Sequence, residues 1–251
     1  MDDRWTNLLL PRFRYGNIEP PAGGVRRGGY MFYRLVPMDV MEIAIGLGIK
    51  EYTPEGVEDA IANFWPCVDT LAQEKIDWLI LGGVPVSSQL GRPRVQSLIE
   101  QVQDKIGVRM DTPTEAIIAG LKHLGAKKVT VASRWADQLN SRLSEYLTSA
   151  GFEVLHVTSR NQWGKQAFAM SLEEGLQMAL DVGREAARNA PQADAIVAPG
   201  GSALSLHVIP ALEEEFGKPV LTNLNAEVWN ALVRPGVIEP VQHWGTLLRS
   251  K

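Results

Sequence analysis

Cysteine is nearly absent. It occurs once in 251 residues, as Cys67, which excludes an intrachain disulfide and a cysteine-rich metal site. Histidine is also scarce: His123, His156, His207 and His243 stand far apart without ligand spacing, so no metal is expected. Positive charge is not in excess. The formal net charge is −4, which argues against general nucleic-acid binding. No apolar run approaches the roughly 20 residues needed to cross a bilayer, so no membrane partner is expected. The first residues, "MDDRWTNLLLPRFR", place acids ahead of only three leucines and do not read as a signal peptide. A cytoplasmic location is the resulting expectation. No G-x-G-x-x-G opens the first strand–helix unit, and neither a Walker lysine loop nor a G-x-S-x-G elbow occurs. "AGGVRRGG" is glycine-rich at the wrong spacing, so no nucleotide or other cofactor is expected.

What the sequence does hold is an alternation of short β-rich runs and longer helical patterns. The runs Ile76–Gly83, Lys127–Ser133, Phe152–Ser159, Ala193–Gly201 and Lys218–Asn225 are near-continuously apolar, as suits parallel strands covered on both faces. Thr53-Pro54 and Thr112-Pro113 read as helix starts, and Gly125 and Gly151 as helix stops. Pro66 is expected to kink or divide the long pattern after Thr53. The alternation predicts an α/β fold of two pseudo-symmetric lobes, each a parallel sheet flanked by helices. Residues 1–113 and 224–251 are assigned to the first lobe and 114–223 to the second, the closing "AEVWNALV" helix returning to the first.

Open parallel sheets bind ligands beyond the carboxyl ends of their strands, and two lobes offer a cleft between them. The segments expected there are "NIEPPAGGVRRGG", "GGVPVSSQLG", "MDTPT", "ASRWADQ", "PGGSALS" and "TNLNAE". Each alone reads more readily as an ordinary strand–helix turn, and the set carries the weight. Ser87, Ser88, Ser202, Thr222, Asn223 and Asn225 could hydrogen-bond a ligand there. Arg26, Arg27, Arg92, Arg94 and above all Arg134 could fork onto a carboxylate, unless they are solvated surface groups. Glu19, ending the first strand, is a candidate general acid or base, or a loop salt bridge. Asp111, before Thr112, is another, or a helix cap. His207 is placed about two turns into a helix, and Cys67 as a buried thiol in another.

The tracts "EPPAGG", "GLGIKEYTPEGVEDAI", "LGGVPVSSQLG", "TEAIIAGLKHLGAKKVTVAS" and "PGGSALSLHVIPALEEEFGKPVLTN" resemble, in order and over nearly the whole chain, the arylmalonate decarboxylases and maleate cis-trans isomerases of the aspartate/glutamate racemase superfamily. The resemblance implies two lobes with a site between them, a small carboxylic acid as substrate, and neither metal nor organic cofactor. It also implies one or two cysteines at equivalent strand ends. The matching positions here are Gly83 and Pro199. The hydroxyl-bearing positions that follow match Val84 and Pro85, and a tyrosine position matches Trp135, while Ser87 and Gly200 agree. Pro199 can be neither acid, base nor nucleophile; Gly200, Gly201 and Ser202 would offer backbone N–H groups.

The reading at this level is a cofactor-independent enzyme acting on a small carboxylic acid or related carbonyl compound, with decarboxylase-, isomerase-, lyase- or hydrolase-like chemistry carried by Glu19, Asp111 and Ser87. Gly83, Val84, Ser88, Arg134, Trp135, Pro199, Gly200, Gly201, Ser202 and Asn223 would hold the substrate. The alternative is a non-catalytic protein that binds or senses a small carboxylate in the same cleft. A homo-oligomer is compatible with either.

Overall fold

The computed structural model describes residues 9–21, 28–163, 166, 169–200 and 206–251. Two four-stranded parallel sheets form its framework. The first joins β1 (Phe13–Pro21), β2 (Val40–Ile49), β3 (Trp78–Leu81) and β4 (Arg109–Asp111) in the order β2-β1-β3-β4. The second joins β5 (Lys128–Val131), β6 (Glu153–Val157), β7 (Ala195–Ala198) and β8 (Val220–Thr222) in the order β6-β5-β7-β8. Both sheets therefore set their second strand outside the first and then grow through the third to the fourth. This is the two-lobe α/β architecture expected from the apolar runs.

Helices flank the strands. In the first lobe they are α1 (Gly28–Phe32), α2 (Pro54–Ile61), α3 (Phe64–Gln73), α4 (Val84–Leu90) and α5 (Arg92–Ile106). Then follow α6 (Pro113–His123), α7 (Asp137–Ser149), α8 (Leu172–Asn189), α9 (Val208–Phe216) and α10 (Asn223–Val228). A π-helical turn over Trp229–Val233 and α11 (Thr246–Arg249) close the chain.

Local chemistry sets most boundaries. Thr53 caps α2 by accepting from the Gly56 amide, with Pro54 in the first turn. The division of the long helical pattern falls at Ala62-Asn63, not at Pro66. Pro66 is the third residue of α3, where the helix needs no N–H from it. Lys218–Asn225 is not all strand. Thr222 and Asn225 form a reciprocal capping box that ends β8 and opens α10. His207 is the residue before α9 rather than two turns inside a helix.

The lobes meet through helices. α4 packs on α7 and α6 packs on α10. Ser87 Oγ lies 2.6 Å from Thr114 Oγ1 within this seam. Glu115 pairs with Arg92 at 2.8 Å and accepts from the Tyr146 hydroxyl at 3.0 Å. Arg92 also reaches the Ser149 carbonyl. One carboxylate thus ties α5 of the first lobe to α7 of the second through charge-assisted bonds.

Candidate functional site

In a parallel sheet, residues in register point to one face, and every second residue along a strand shares it. Tyr15 is in register with Glu42 and Trp78, and Trp78 with Arg109. Two residues on, Asn17 is in register with Ala44 and Ile80, and Ile80 with Asp111. Glu19 continues the row along β1. One face of the first sheet therefore carries Tyr15, Asn17, Glu19, Glu42 and Asp111, an unusually polar set for an inner sheet face.

Glu227, on α10, closes over that face. The residue is half-buried, and its carboxyl takes a hydrogen bond from Asn223 one turn earlier. Burial pushes its pKa well above the usual carboxylate range, and Asp111, Glu42 and Glu19 push it the same way. Glu227 is the common neighbour of three other carboxyl groups, each of which disfavours its ionised form. The Tyr15 phenol is held protonated by burial and by Glu227, Glu42 and Asp111. Glu42 accepts from Asn17 Nδ2 at 2.7 Å. Burial raises the Tyr52 phenol to about 12, with Glu19 as the second cause.

Asp111 is 5% exposed. Burial raises its pKa to about 7, against hydrogen bonds from Asn230 Nδ2 and the Thr112 amide at 2.6 and 2.7 Å. The cap of α6 is Thr112, which accepts from the Glu115 amide, so Asp111 is not the capping residue. Asp111 also lines a groove of about 600 Å³ together with Trp78, Glu115 and Asn230.

The strand-end turns are tight in both lobes. Gly83 has φ +90°, and a β-carbon there would lie 2.6 Å from Pro20. Gly82 sits directly over Asn17, whose Oδ1 would be 3.2 Å from a β-carbon. Gly200 has φ +71°, and a β-carbon would fall 1.8 Å from the Trp135 ring. Trp135, 6% exposed, is thus stacked against the second-lobe turn. Both positions demand glycine for conformation and for space.

The remaining candidates divide clearly. Glu19, Asn223, Trp135, Pro199 and Gly200 stand at strand ends, and Asn223 meets Glu227. Arg134 is part-buried and engaged in an interaction of its own. Val84 and Ser88 are buried in α4, and the Ser88 hydroxyl has no partner. Ser87 is fully buried, its hydroxyl engaged by Thr114 and the carbonyls of Gly83 and Val84. It faces the seam rather than open space, which counts against the catalytic role expected of it. Thr222 and Asn225 are fully buried in their capping box. Arg92 and Arg94 are paired with Glu115 and Glu58. His207 Nε2 donates to the Leu176 carbonyl, and burial lowers its pKa. Gly201, Ser202, Arg26 and Arg27 lie outside the described residues. Cys67 is buried in α3, its thiol on the Gly46 carbonyl at 3.7 Å and its pKa raised by burial. No metal-binding cluster occurs among the described residues, nor is any helix there long and apolar enough to cross a membrane.

Glu227 and Glu42 were not singled out from the sequence. Their signal was there: an acid within a strand run ("VMEIAIG") and an acid on a helix directly after a strand ("NLNAEVW").

A family model described as arylmalonate decarboxylase matches residues 15–248. The chain belongs to the arylmalonate decarboxylase family. An arylmalonate decarboxylase of Bordetella bronchiseptica is 29% identical over 218 residues, covering 86% of this chain and 88% of that protein. A maleate isomerase of Geobacillus stearothermophilus is 28% identical over 142 residues, covering 54% of this chain and 53% of that one. Among solved structures, a double mutant of arylmalonate decarboxylase in its liganded form superposes with TM-score 0.83 at 27% identity, covering 94% of this chain and 98% of that one. A maleate isomerase of Pseudomonas putida with maleate shares the fold at TM-score 0.82 and 20% identity, over 94% and 97% of the chains. The racemase-like two-lobe fold of this family is the frame in which the carboxyl-rich face sits.

Proposed function

We propose that the chain is a cofactor-independent lyase or isomerase acting on a small carboxylic acid in the interlobe cleft, with carboxyl groups rather than a thiol moving the proton. The relatives are a decarboxylase and an isomerase. Here the strand-end positions that would carry cysteine are Gly83 and Pro199, and the single thiol is buried in α3. The observation that carries the reading is the Glu227 carboxyl set among Glu19, Glu42 and Asp111.

The glycine turns and Arg134 hold the substrate carboxylate. In a decarboxylation, the bond from the α-carbon to the departing carboxylate breaks, carbon dioxide leaves, and the electron pair remains on the α-carbon. A carboxyl group then gives its proton to that carbon and becomes a carboxylate, which regains a proton from water. In an isomerisation, a carboxylate takes the α-proton and a neighbouring carboxyl returns one. Glu227 serves as proton donor, and Glu19 and Asp111, the latter near neutrality, serve as its partners. Proton transfer by a positioned group contributes on the order of 10²–10⁴ in rate.

The test is deuterium incorporation or carbon dioxide release across malonates, maleate, aspartate and aryl acids. Turnover that survives iodoacetamide but drops in Glu227→Gln, Glu19→Gln or Asp111→Asn supports the reading. Full turnover in all three variants overturns it. Trp135 packed over Gly200 favours one second reading, a non-catalytic carboxylate binder; thermal stabilisation by an acid without turnover would identify it.

A further inference from the structure

Asp111 is gripped at both carboxyl oxygens. The Thr112 amide donates to Oδ1 at 2.7 Å, and Asn230 Nδ2 donates to Oδ2 at 2.6 Å. Asn230 is held in its turn: its Oδ1 accepts from Arg234 Nη1 at 3.0 Å. A flipped amide would set N–H against guanidinium and oxygen against carboxyl, so the network fixes one orientation. The Arg234 guanidinium lies 5.6 Å from the centre of the Trp229 ring. Its backbone amide closes the π-helical turn on the Trp229 carbonyl at 2.8 Å. Single π turns of this kind recur at functional sites. Trp229, Asn230 and Arg234 thus form a bracket whose inner end is a carboxyl 119 residues away in sequence.

The other charges near Asp111 act through space. Glu115, on α6, raises its pKa and Arg234 lowers it. Glu227, on α10, and the Tyr15 phenol, on β1, respond to its charge. Glu100 and Asp104 on α5 and Arg109 on β4 line the same groove as Asp111 and are exposed. The side-chain hydrogen bond comes from Asn230, which also lines that groove. A hydrogen bond from a neutral amide favours the carboxylate, whereas burial favours the acid.

We propose that Asn230, oriented by Arg234, is the positioning residue of Asp111, aiming its carboxyl and keeping both charge states within reach for proton transfer. The proposal rests on the reading of Asp111 as a proton-carrying partner of the cleft. In this role Asn230 acts through Asp111 and not on the substrate. Removing the amide shifts the balance towards the acid and frees the carboxyl to rotate.

The test is a carboxyl-carbon NMR titration of the full chain, with the Asp111 signal assigned by its loss in Asp111→Asn. Asn230→Ala is expected to raise the Asp111 midpoint by about one pH unit. Asn230→Asp, nearly isosteric, sets a second carboxyl against the first and is expected to raise it further. Arg234→Gln is expected to raise it by less, and to contribute less in the Asn230→Ala background than alone. These two variants keep the measurement available should Asn230→Ala fail to fold. With the acid turned over fastest, Asn230→Ala is expected to lower kcat about tenfold, leave KM unchanged, and move the pH profile by the same interval as the midpoint. An unmoved midpoint in the folded variants would overturn the assignment. A moved midpoint with an unmoved rate profile would overturn the role in the reaction, while proton transfer by Glu227 stands. If no acid is turned over, the carboxylic-acid reading falls and takes this role with it, whatever the titration shows.

Discussion

The two sheets share a strand order and differ in what they display. The second sheet is built mainly of valine, isoleucine, alanine and leucine, with Lys128, Thr130, Glu153, His156 and Thr222 as its polar residues. Its buried polar Thr130 hydroxyl bonds to the carbonyls of Ala186 and His156. The first sheet presents Tyr15, Asn17, Glu19, Glu42 and Asp111 on one face, under Glu227 from the segment that follows the second sheet. One topology can therefore serve as packing in one lobe and as a carboxyl-bearing wall in the other. What differs is the identity of alternate residues on a few strands. Burial disfavours the ionised forms of Asp111 and Glu227, so the first lobe sets carboxyl groups where the second sets mostly methyl groups.

The largest effect should separate the lobes most sharply. Glu227→Gln is expected to lower turnover of the best acid substrate by about 10²-fold or more, with Tm unchanged or raised because a buried acid is replaced by a neutral amide. Thr130→Val in the second sheet should leave turnover intact. Equal losses in both variants would erase the contrast.

Asp111 offers a pH test of the same contrast. Its pKa is about 7 in the folded chain against an ordinary value of 3.8. The folded state thus binds this proton more tightly than the unfolded state. Stability from this group is fully present below about pH 4 and is lost as pH rises toward 7. The loss is on the order of a few kcal/mol, at roughly 1.4 kcal/mol per pKa unit. Asp111→Asn should flatten the Tm-versus-pH curve between pH 4 and 7. A mutant curve as steep as that of the wild type would show that other groups set it.

The two glycine turns should fail for different reasons. Gly200→Ala drives a methyl into Trp135 and Gly83→Ala drives one into Pro20, each at φ values that favour glycine. Costs of about 2–3 kcal/mol are expected by denaturant titration. Gly217→Ala, at φ +65° with open space around it, should cost only about 1–2 kcal/mol. Similar costs at all three would mean that the turns are not jammed. The smallest effect is expected of Thr130→Val, at about 1 kcal/mol.

The architecture was legible because the second lobe's strands are mostly apolar and Thr112, Ser171 and Thr222 cap its helices. β2 was harder to see, since Glu42 and two glycines dilute Val40–Ile49. Pro66 misled because proline is costly inside a helix and harmless in its first turn. Glu19 and Asp111 were visible as acids at strand ends. Glu227 was not, because its role depends on α10 folding back over the first sheet, a long-range contact that local pattern does not encode. Ser87 looked available for the opposite reason: its Thr114 partner lies 27 residues away.

The central claim is that carboxyl groups of the first-lobe wall, not sulfur, carry the proton. Its most direct measurement compares solvent-deuterium incorporation into one turned-over acid by iodoacetamide-treated wild type and by untreated Glu227→Gln. The account predicts full incorporation in the first and a loss of about 10²-fold in the second. Inactivation by iodoacetamide together with full activity in Glu227→Gln would contradict it.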